Sequence, residues 1–182
     1  MVTNTGKALI DPEVVIKKIG LVEGLRVANL GCGRTGQFIF SLSKALGETG
    51  VVYAVDIIKD ILQSIKSRAE SEGYNNVHTV WSDIEKYGFT PIPAGSLDVC
   101  FFVNVMFLLK DRVGALKEAT RLLNDSGIIV VVDWARRLGT LGPSDEQLLT
   151  REDMMDLAAT LNLRLVDNFS AGDYHYGLVF TK

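Results

Sequence analysis

Cysteine, histidine and proline are scarce in this chain, at two, two and four among 182 residues. Two cysteines, Cys32 and Cys100, cannot staple a disulfide scaffold, and with so few histidines they lack the spacing of a zinc site, so no metal is expected. No apolar run approaches the roughly 20 residues that cross a bilayer; runs such as Ile128 to Val132 are strand-sized. Met1 to Lys7 carries no apolar signal region, which points to a cytoplasmic protein. No charge of either sign dominates: the net charge of −3 gives no general pull toward nucleic acid. Repeats and low-complexity tracts are absent too, which excludes solenoid, fibrous and disordered classes. What remains, with 47% hydrophobic and 23% charged residues, fits one globular domain over residues 1–182.

The chain is organised around Val27 to Gly36, Val-Ala-Asn-Leu-Gly-Cys-Gly-Arg-Thr-Gly. An apolar strand runs into a loop with Gly31, Gly33 and Gly36, and an amphipathic helix from about Gln37 to Leu46 follows. Glycine accepts positive φ and lacks the side chain that would hold a ligand away from backbone N–H groups. The next apolar strand ends on Asp56. A carboxylate at the tip of the second strand is placed to accept from the two hydroxyls of a ribose. Its other use is to cap the following helix.

Upstream, Asp11-Pro12-Glu13 opens a short leader helix within residues 1–24, with Asp11 as N-cap and Pro12 at the first helical position. Downstream, a helix is expected over about Ile57 to Glu72, a strand over Val77 to Trp81 ending on Ser82-Asp83, and a near-continuous apolar strand over Leu97 to Val103 ending on Asn104. A helix over Asp111 to Leu123 follows, the turn Asn124 to Gly127 comes next, and a fifth strand runs from Ile128 to Asp133. Strands separated by helices imply a parallel sheet. Residues 134–149 are long and polar enough to form a lid loop. Thr150 to Asp153 reads as a capping box for one more helix. The strands Arg164 to Phe169 and His175 to Thr181 have too short a linker for a parallel crossover, so they must pair antiparallel.

This ordered set of segments resembles the class I S-adenosylmethionine-dependent methyltransferases, over essentially the whole chain. It is most similar to the small-molecule branch with ubiquinone- and menaquinone-biosynthesis-type enzymes. The resemblance implies an α/β fold, a Rossmann-like three-layer α/β/α sandwich on a seven-stranded, mostly parallel sheet with a C-terminal antiparallel hairpin. It also implies S-adenosyl-L-methionine as cofactor, with S-adenosyl-L-homocysteine as product. Asn29, Gly31, Cys32, Gly33 and Gly36 would shape its site, the glycines admitting the methionyl and ribose parts. Asp56 would accept from the ribose hydroxyls beside Ile57, Asp83 from the adenine amino group with Ile84 against the ring, and Asn104 would lie near the methionine amino group. Family members carry Asp or Glu where this chain has Asn29, and space the last loop glycine one residue closer than Gly36. The bland alternatives are a helix cap for Asp83 and a turn residue for Asn104.

Methyl transfer needs geometry more than a catalytic base. If the acceptor is a hydroxyl, Asp133, Tyr174 and His175 are the candidate bases. The apolar run Asn104 to Leu109 hints at a hydrophobic or planar small-molecule acceptor, Trp134 at a pocket wall, and Arg136 or Arg137 at an anionic group. The short leader leaves the acceptor's cover to a partner or to a second copy in a homodimer. Two competing readings are a non-catalytic cofactor-binding module and, because Gly31-x-Gly33-x-x-Gly36 with Asp56 also fits the dinucleotide fingerprint, an NAD-dependent oxidoreductase.

Overall fold

The computed structural model describes residues 9–139 and 141–182. The polar stretch at Met1 to Lys7 lies outside the described residues, as does Thr140 within the expected lid loop. Helix α1 (Pro12–Lys18) starts where Asp11 accepts the backbone N–H of Glu13. The alternation then runs β1 (Arg26–Leu30), α2 (Gln37–Leu46), β2 (Val51–Asp56), α3 (Lys59–Glu72), β3 (Val77–Trp81), β4 (Leu97–Val103), a 3-10 turn (Met106–Leu108), α4 (Arg112–Leu122) and β5 (Leu123–Trp134). Helix α5 (Arg151–Ala159), β6 (Arg164–Ser170) and β7 (His175–Thr181) complete it. The capping box at Thr150 and Asp153 is formed as expected.

One seven-stranded sheet carries the order β3-β2-β1-β4-β5-β7-β6. The first five strands are parallel, and β7 pairs antiparallel with both β5 and β6. The return strand takes the inner place for a physical reason. His175 to Phe180 are buried throughout, whereas β6 alternates or is exposed and suits an edge. That edge is tied to α1 by the Lys18–Asp167 ion pair.

Strand alternation divides the core into two layers. Val27, Val52, Phe101, Val130 and Val132 face Phe38, Leu42 and Ile65 of α2 and α3. Ala28, Leu30, Cys100, Phe102 and Val131 face Leu116 and Ala119 of α4 and Met154 of α5. Helices on both faces give the three-layer sandwich.

Two elements start two or more residues away from expectation. Helix α3 begins at Lys59 rather than near Ile57, because the Asp56 carboxylate accepts the Ile58 N–H at 3.0 Å and Ile58 stays extended as the N-cap. The fifth strand begins at Leu123: the Asn124 turn survives as a bulge inside it, where the register jumps from Leu97–Leu123 to Val99–Ile128. There Asn124 accepts from the Ser126 N–H and donates to Asp98. Among the described residues no helix is long and apolar enough to cross a membrane.

Candidate cofactor and acceptor cleft

A cleft of about 640 Å³ opens at the carboxyl ends of β1, β2, β3 and β4, where an open α/β sheet binds ligands. The loops after those four strands supply its walls: Gly31 to Gly33, Asp56 to Ile58, Ser82 to Glu85 and Val103 to Val105. Strand β1 lies between β2 and β4, so the connections leave it in opposite directions and leave the crevice between them.

The three loop glycines do three different jobs. A Cβ on Gly31 would come within 2.5 Å of the Val105 side chain, and one on Gly36 within 3.0 Å of Phe40; both positions also have positive φ. These two are glycine for packing. Gly33 has φ +69°, and a Cβ there would meet no protein atom within 4 Å. Its missing side chain leaves room in the cleft itself. Three of the loop amides, however, are engaged within the protein: Gly31 and Cys32 donate to the Val55 carbonyl at 2.9 and 3.0 Å, and Gly33 donates to Asp56 at 3.1 Å.

Asp56 therefore does more than either expected role. One carboxylate oxygen accepts from Ile58, in the manner of a cap, and the other accepts from Gly33 and the Cys32 thiol. A carboxylate has about four acceptor positions, so capacity remains on the cleft side. Burial, and then the Asp56 charge, push the Cys32 thiol far up, which keeps it protonated and unreactive. Asp83 accepts the Glu85 N–H and pairs with Lys86 at 3.2 Å, while Ile84 beside it is buried. Asn104 has φ +52°, rare for a side-chain-bearing residue, and its backbone N–H donates to Val132 at 2.9 Å. Its side-chain oxygen is buried in the cleft wall without a partner among the described residues.

The structure thus brings Gly31, Cys32, Gly33, Asp56, Ile57, Asp83, Ile84 and Asn104 to one cleft. Asn29 and Gly36 do not line it. Asn29 is buried in β1 with an unpartnered side-chain oxygen, and Gly36 sits under α2 as its N-cap. Asp133, Tyr174 and His175 lie off the cleft lining as well. Asp133 is buried at the end of β5 and accepts from the backbone of Trp134 at 2.8 Å and Phe107 at 3.3 Å. Burial outweighs those bonds and pushes its carboxyl up to about 6. His175 packs against Trp134 with ring centroids 4.3 Å apart and the rings tilted by 44°, and burial pushes it down to about 4. The Tyr174 ring faces Arg136 at 4.7 Å, and Arg137 pairs with Asp145.

Sequence reasoning missed Leu9 and Ile10, which line the cleft from the far end of the chain, and the packing of Val105 on Gly31. No local pattern marks the first two. It also missed Glu118, whose carboxylate grips Arg121 and the N–H groups of Gly88 and Thr90 and so holds the segment after Asp83. Burial raises that carboxyl, but the Arg121, Gly88 and Thr90 bonds outweigh it and bring it to about 2.

The acceptors and spaces of this cleft fit S-adenosylmethionine: an open position at Gly33, acceptor oxygens on Asp56 and Asp83, and an orphaned acceptor on Asn104. Residues 21–172 match the methyltransferase domain family. The demethylmenaquinone methyltransferase of Staphylococcus aureus (strain MRSA252) is 32% identical over 122 residues, covering 65% of this chain and 47% of that protein. The chain spans about half the length of the curated relatives it matches. A SAM-dependent methyltransferase from Aquifex aeolicus superposes with a TM-score of 0.86 at 27% identity, covering 94% of this chain and 89% of the other. An arsenic(III) S-adenosylmethionine methyltransferase from Chlamydomonas reinhardtii gives 0.70 at 25%, covering 88% and 64%. The chain belongs to the methyltransferase domain family and has its class I, Rossmann-like architecture.

Proposed function

We propose that the protein transfers the methyl group of S-adenosylmethionine to a small, largely apolar acceptor by in-line displacement. The observation that carries this reading is the buried, unpartnered side-chain oxygen of Asn104 in the cleft wall. An acceptor with no internal partner is costly unless a donor arrives, and an ammonium group is such a donor. When bound, the cofactor supplies a methyl made electrophilic by its sulfonium. Asp56 would hold the ribose hydroxyls, Asp83 the adenine amino group and Ile84 the ring, while the missing side chain of Gly33 would leave room for them.

Val105, Leu108 and Leu109 after β4, together with Leu9 and Ile10, give the same cleft an apolar lining. Such walls exclude water and select a hydrophobic acceptor. No side chain of this chain need take a proton for transfer to proceed, because orientation alone can supply ~7–11 kcal/mol of the barrier. Three amides of the glycine loop, those of Gly31, Cys32 and Gly33, are bonded within the protein, which leaves fewer N–H donors there for the pyrophosphate of a dinucleotide. The demethylmenaquinone methyltransferase relatives make a fused-ring aromatic the first acceptor class to try.

The test is to incubate the full chain with methyl-labelled S-adenosylmethionine and a panel of phenols, naphthols and quinols. Labelled product with stoichiometric S-adenosylhomocysteine is expected. Firm binding of S-adenosylhomocysteine with no turnover on any acceptor would instead favour a non-catalytic module.

A further inference from the structure

We infer that Glu85 is a positioning residue that ties the cofactor side of the cleft to its acceptor wall, so that filling the first tightens the second. The inference rests on the methyltransferase reading and deepens it by linking the two binding steps.

Two stretches from different parts of the chain contribute to the cleft lining. Ser82 to Glu85, after β3, carries Asp83 and Ile84; the turn after β4 carries Leu108 and Leu109 and runs through Lys110 into α4. Glu85 joins them. Its carboxylate accepts the backbone N–H of Asp111, two residues beyond Leu109. Its own N–H donates to the Asp83 carboxylate at 3.2 Å, so the residue is fixed at its cofactor end as well.

Asp111 is the N-cap of α4, and its side chain accepts the N–H of Gly114, the third helical residue, at 2.8 Å. In a capping box the side chain at that third position bonds back to the N–H of the cap residue. Helix α5 closes such a box locally, with Thr150 and Asp153. Helix α4 has glycine there and no side chain to return the bond. Glu85 supplies the missing carboxylate from another loop, and its negative charge suits a helix N-terminus. The glycine is matched to this arrangement, because a Cβ on Gly114 would collide with the Glu85 carbonyl oxygen. The first turn of α4 is thus completed by the segment that carries Asp83 and Ile84. Farther along the same helix, Glu118 accepts the N–H groups of Gly88 and Thr90 at 2.6 and 2.8 Å, so that segment is bound to α4 at two places.

A ligand that orders Asp83 and Ile84 thereby orders Asp111 and the wall just before it. The acceptor then meets a wall already set, with less ordering left to oppose its binding. By linkage, the acceptor must tighten the cofactor by the same factor.

The test titrates the full chain with N-phenyl-1-naphthylamine, a neutral apolar probe, by its fluorescence, with and without saturating S-adenosylhomocysteine. The probe should bind at least about fivefold tighter when S-adenosylhomocysteine is present, and calorimetry should show the reciprocal gain. Glu85→Ala should bring that factor to within about twofold of unity, whereas Glu85→Gln, which keeps a carbonyl oxygen for the Asp111 N–H, should retain it. Amide exchange reads the link without any ligand: Asp111 should lose protection in Glu85→Ala and keep it in Glu85→Gln. No probe binding, a probe affinity indifferent to S-adenosylhomocysteine, a coupling that survives Glu85→Ala, or Asp111 protection equal in all three proteins would overturn the inference. Failure of the cofactor reading shows separately, as absence of S-adenosylhomocysteine binding; Asp111 protection lost in Glu85→Ala alone would then still support Glu85 as the tie between the two walls.

Discussion

The buried carboxylate of Asp133 accepts the backbone N–H of Phe107 across 3.3 Å, and through it the end of β5 fixes the turn that follows β4. Arg112 fastens the same turn from the other side, donating to the Met106 carbonyl at 2.9 Å. This turn carries Leu108 and Leu109 into the cleft wall, directly after Asn104. Asp133 thus acts on the cleft at one remove, as a positioning residue rather than a base. Asp133→Ala should raise the acceptor KM and lower kcat several-fold while leaving S-adenosylhomocysteine affinity within about twofold, and steady-state kinetics with separate calorimetry would resolve the split.

Asp133 and His175 also oppose each other in pH dependence. The Asp133 carboxyl titrates near 6 in the folded protein against 3.8 ordinarily, so the folded state holds the extra proton and stability rises as pH falls from 6 toward 3.8. His175 titrates near 4 against 6.5, so the unfolded state takes the extra proton and stability falls as pH drops from 6.5 toward 4. At about 1.36 kcal/mol per pH unit the two limits are similar, each on the order of 3 kcal/mol. The wild type should therefore show a nearly level urea midpoint between pH 6.5 and 4.5. Asp133→Asn should lose stability on acidification, and His175→Phe should gain it. Parallel profiles in the three proteins would contradict the assignment.

Gly31 and Gly33 should separate stability from binding. Gly31→Ala drives a Cβ into Val105 at positive φ, and the combined overpacking and backbone strain should cost at least ~2 kcal/mol. Gly33→Ala meets no protein atom and should cost only the backbone strain, about 1–2 kcal/mol. Yet Gly33→Ala should weaken S-adenosylhomocysteine tenfold or more, because its methyl group enters the cleft. Chemical denaturation beside calorimetry on both variants checks the crossover.

Glu118 is fully buried, and both its oxygens engage Arg121, at 2.7 and 2.8 Å. Removing one partner of such a pair typically costs ~3–5 kcal/mol, so Glu118→Ala should be among the most destabilising single changes in the chain. Because its folded carboxyl titrates near 2 against 4.5, the stability it confers is complete above pH 4.5 and lost as pH falls toward 2. Arg121→Met should remove much of that acid sensitivity, as read from midpoints between pH 5 and 2.

The fold was legible because its signals are local and periodic. Glycine after β1, Asp56 at the tip of β2 and the short linker between β6 and β7 each constrain the backbone within a few residues. The insertion of β7 between β5 and β6 follows from the same physics, since an uninterrupted apolar strand needs neighbours on both sides. The wall of the cleft was partly hidden. Leu9 and Ile10 reach it only through tertiary packing, and Val105 shows its role only against Gly31. The amides of the glycine loop read as ligand donors in sequence. Only the observed bonds to Val55 and Asp56 reveal that the strand beside them has claimed those of Gly31, Cys32 and Gly33. His175 read as a candidate base, and nothing local announced that Trp134 would lie opposite it.

Calorimetric titration of the full chain with S-adenosylhomocysteine and, separately, with NAD, repeated on Asp56→Ala, tests the central claim most directly. S-adenosylhomocysteine alone should bind, and the variant should weaken it at least tenfold, because Asp56 both holds the Gly33 loop and faces the cleft. Binding of NAD instead, or S-adenosylhomocysteine affinity indifferent to Asp56→Ala, would contradict it.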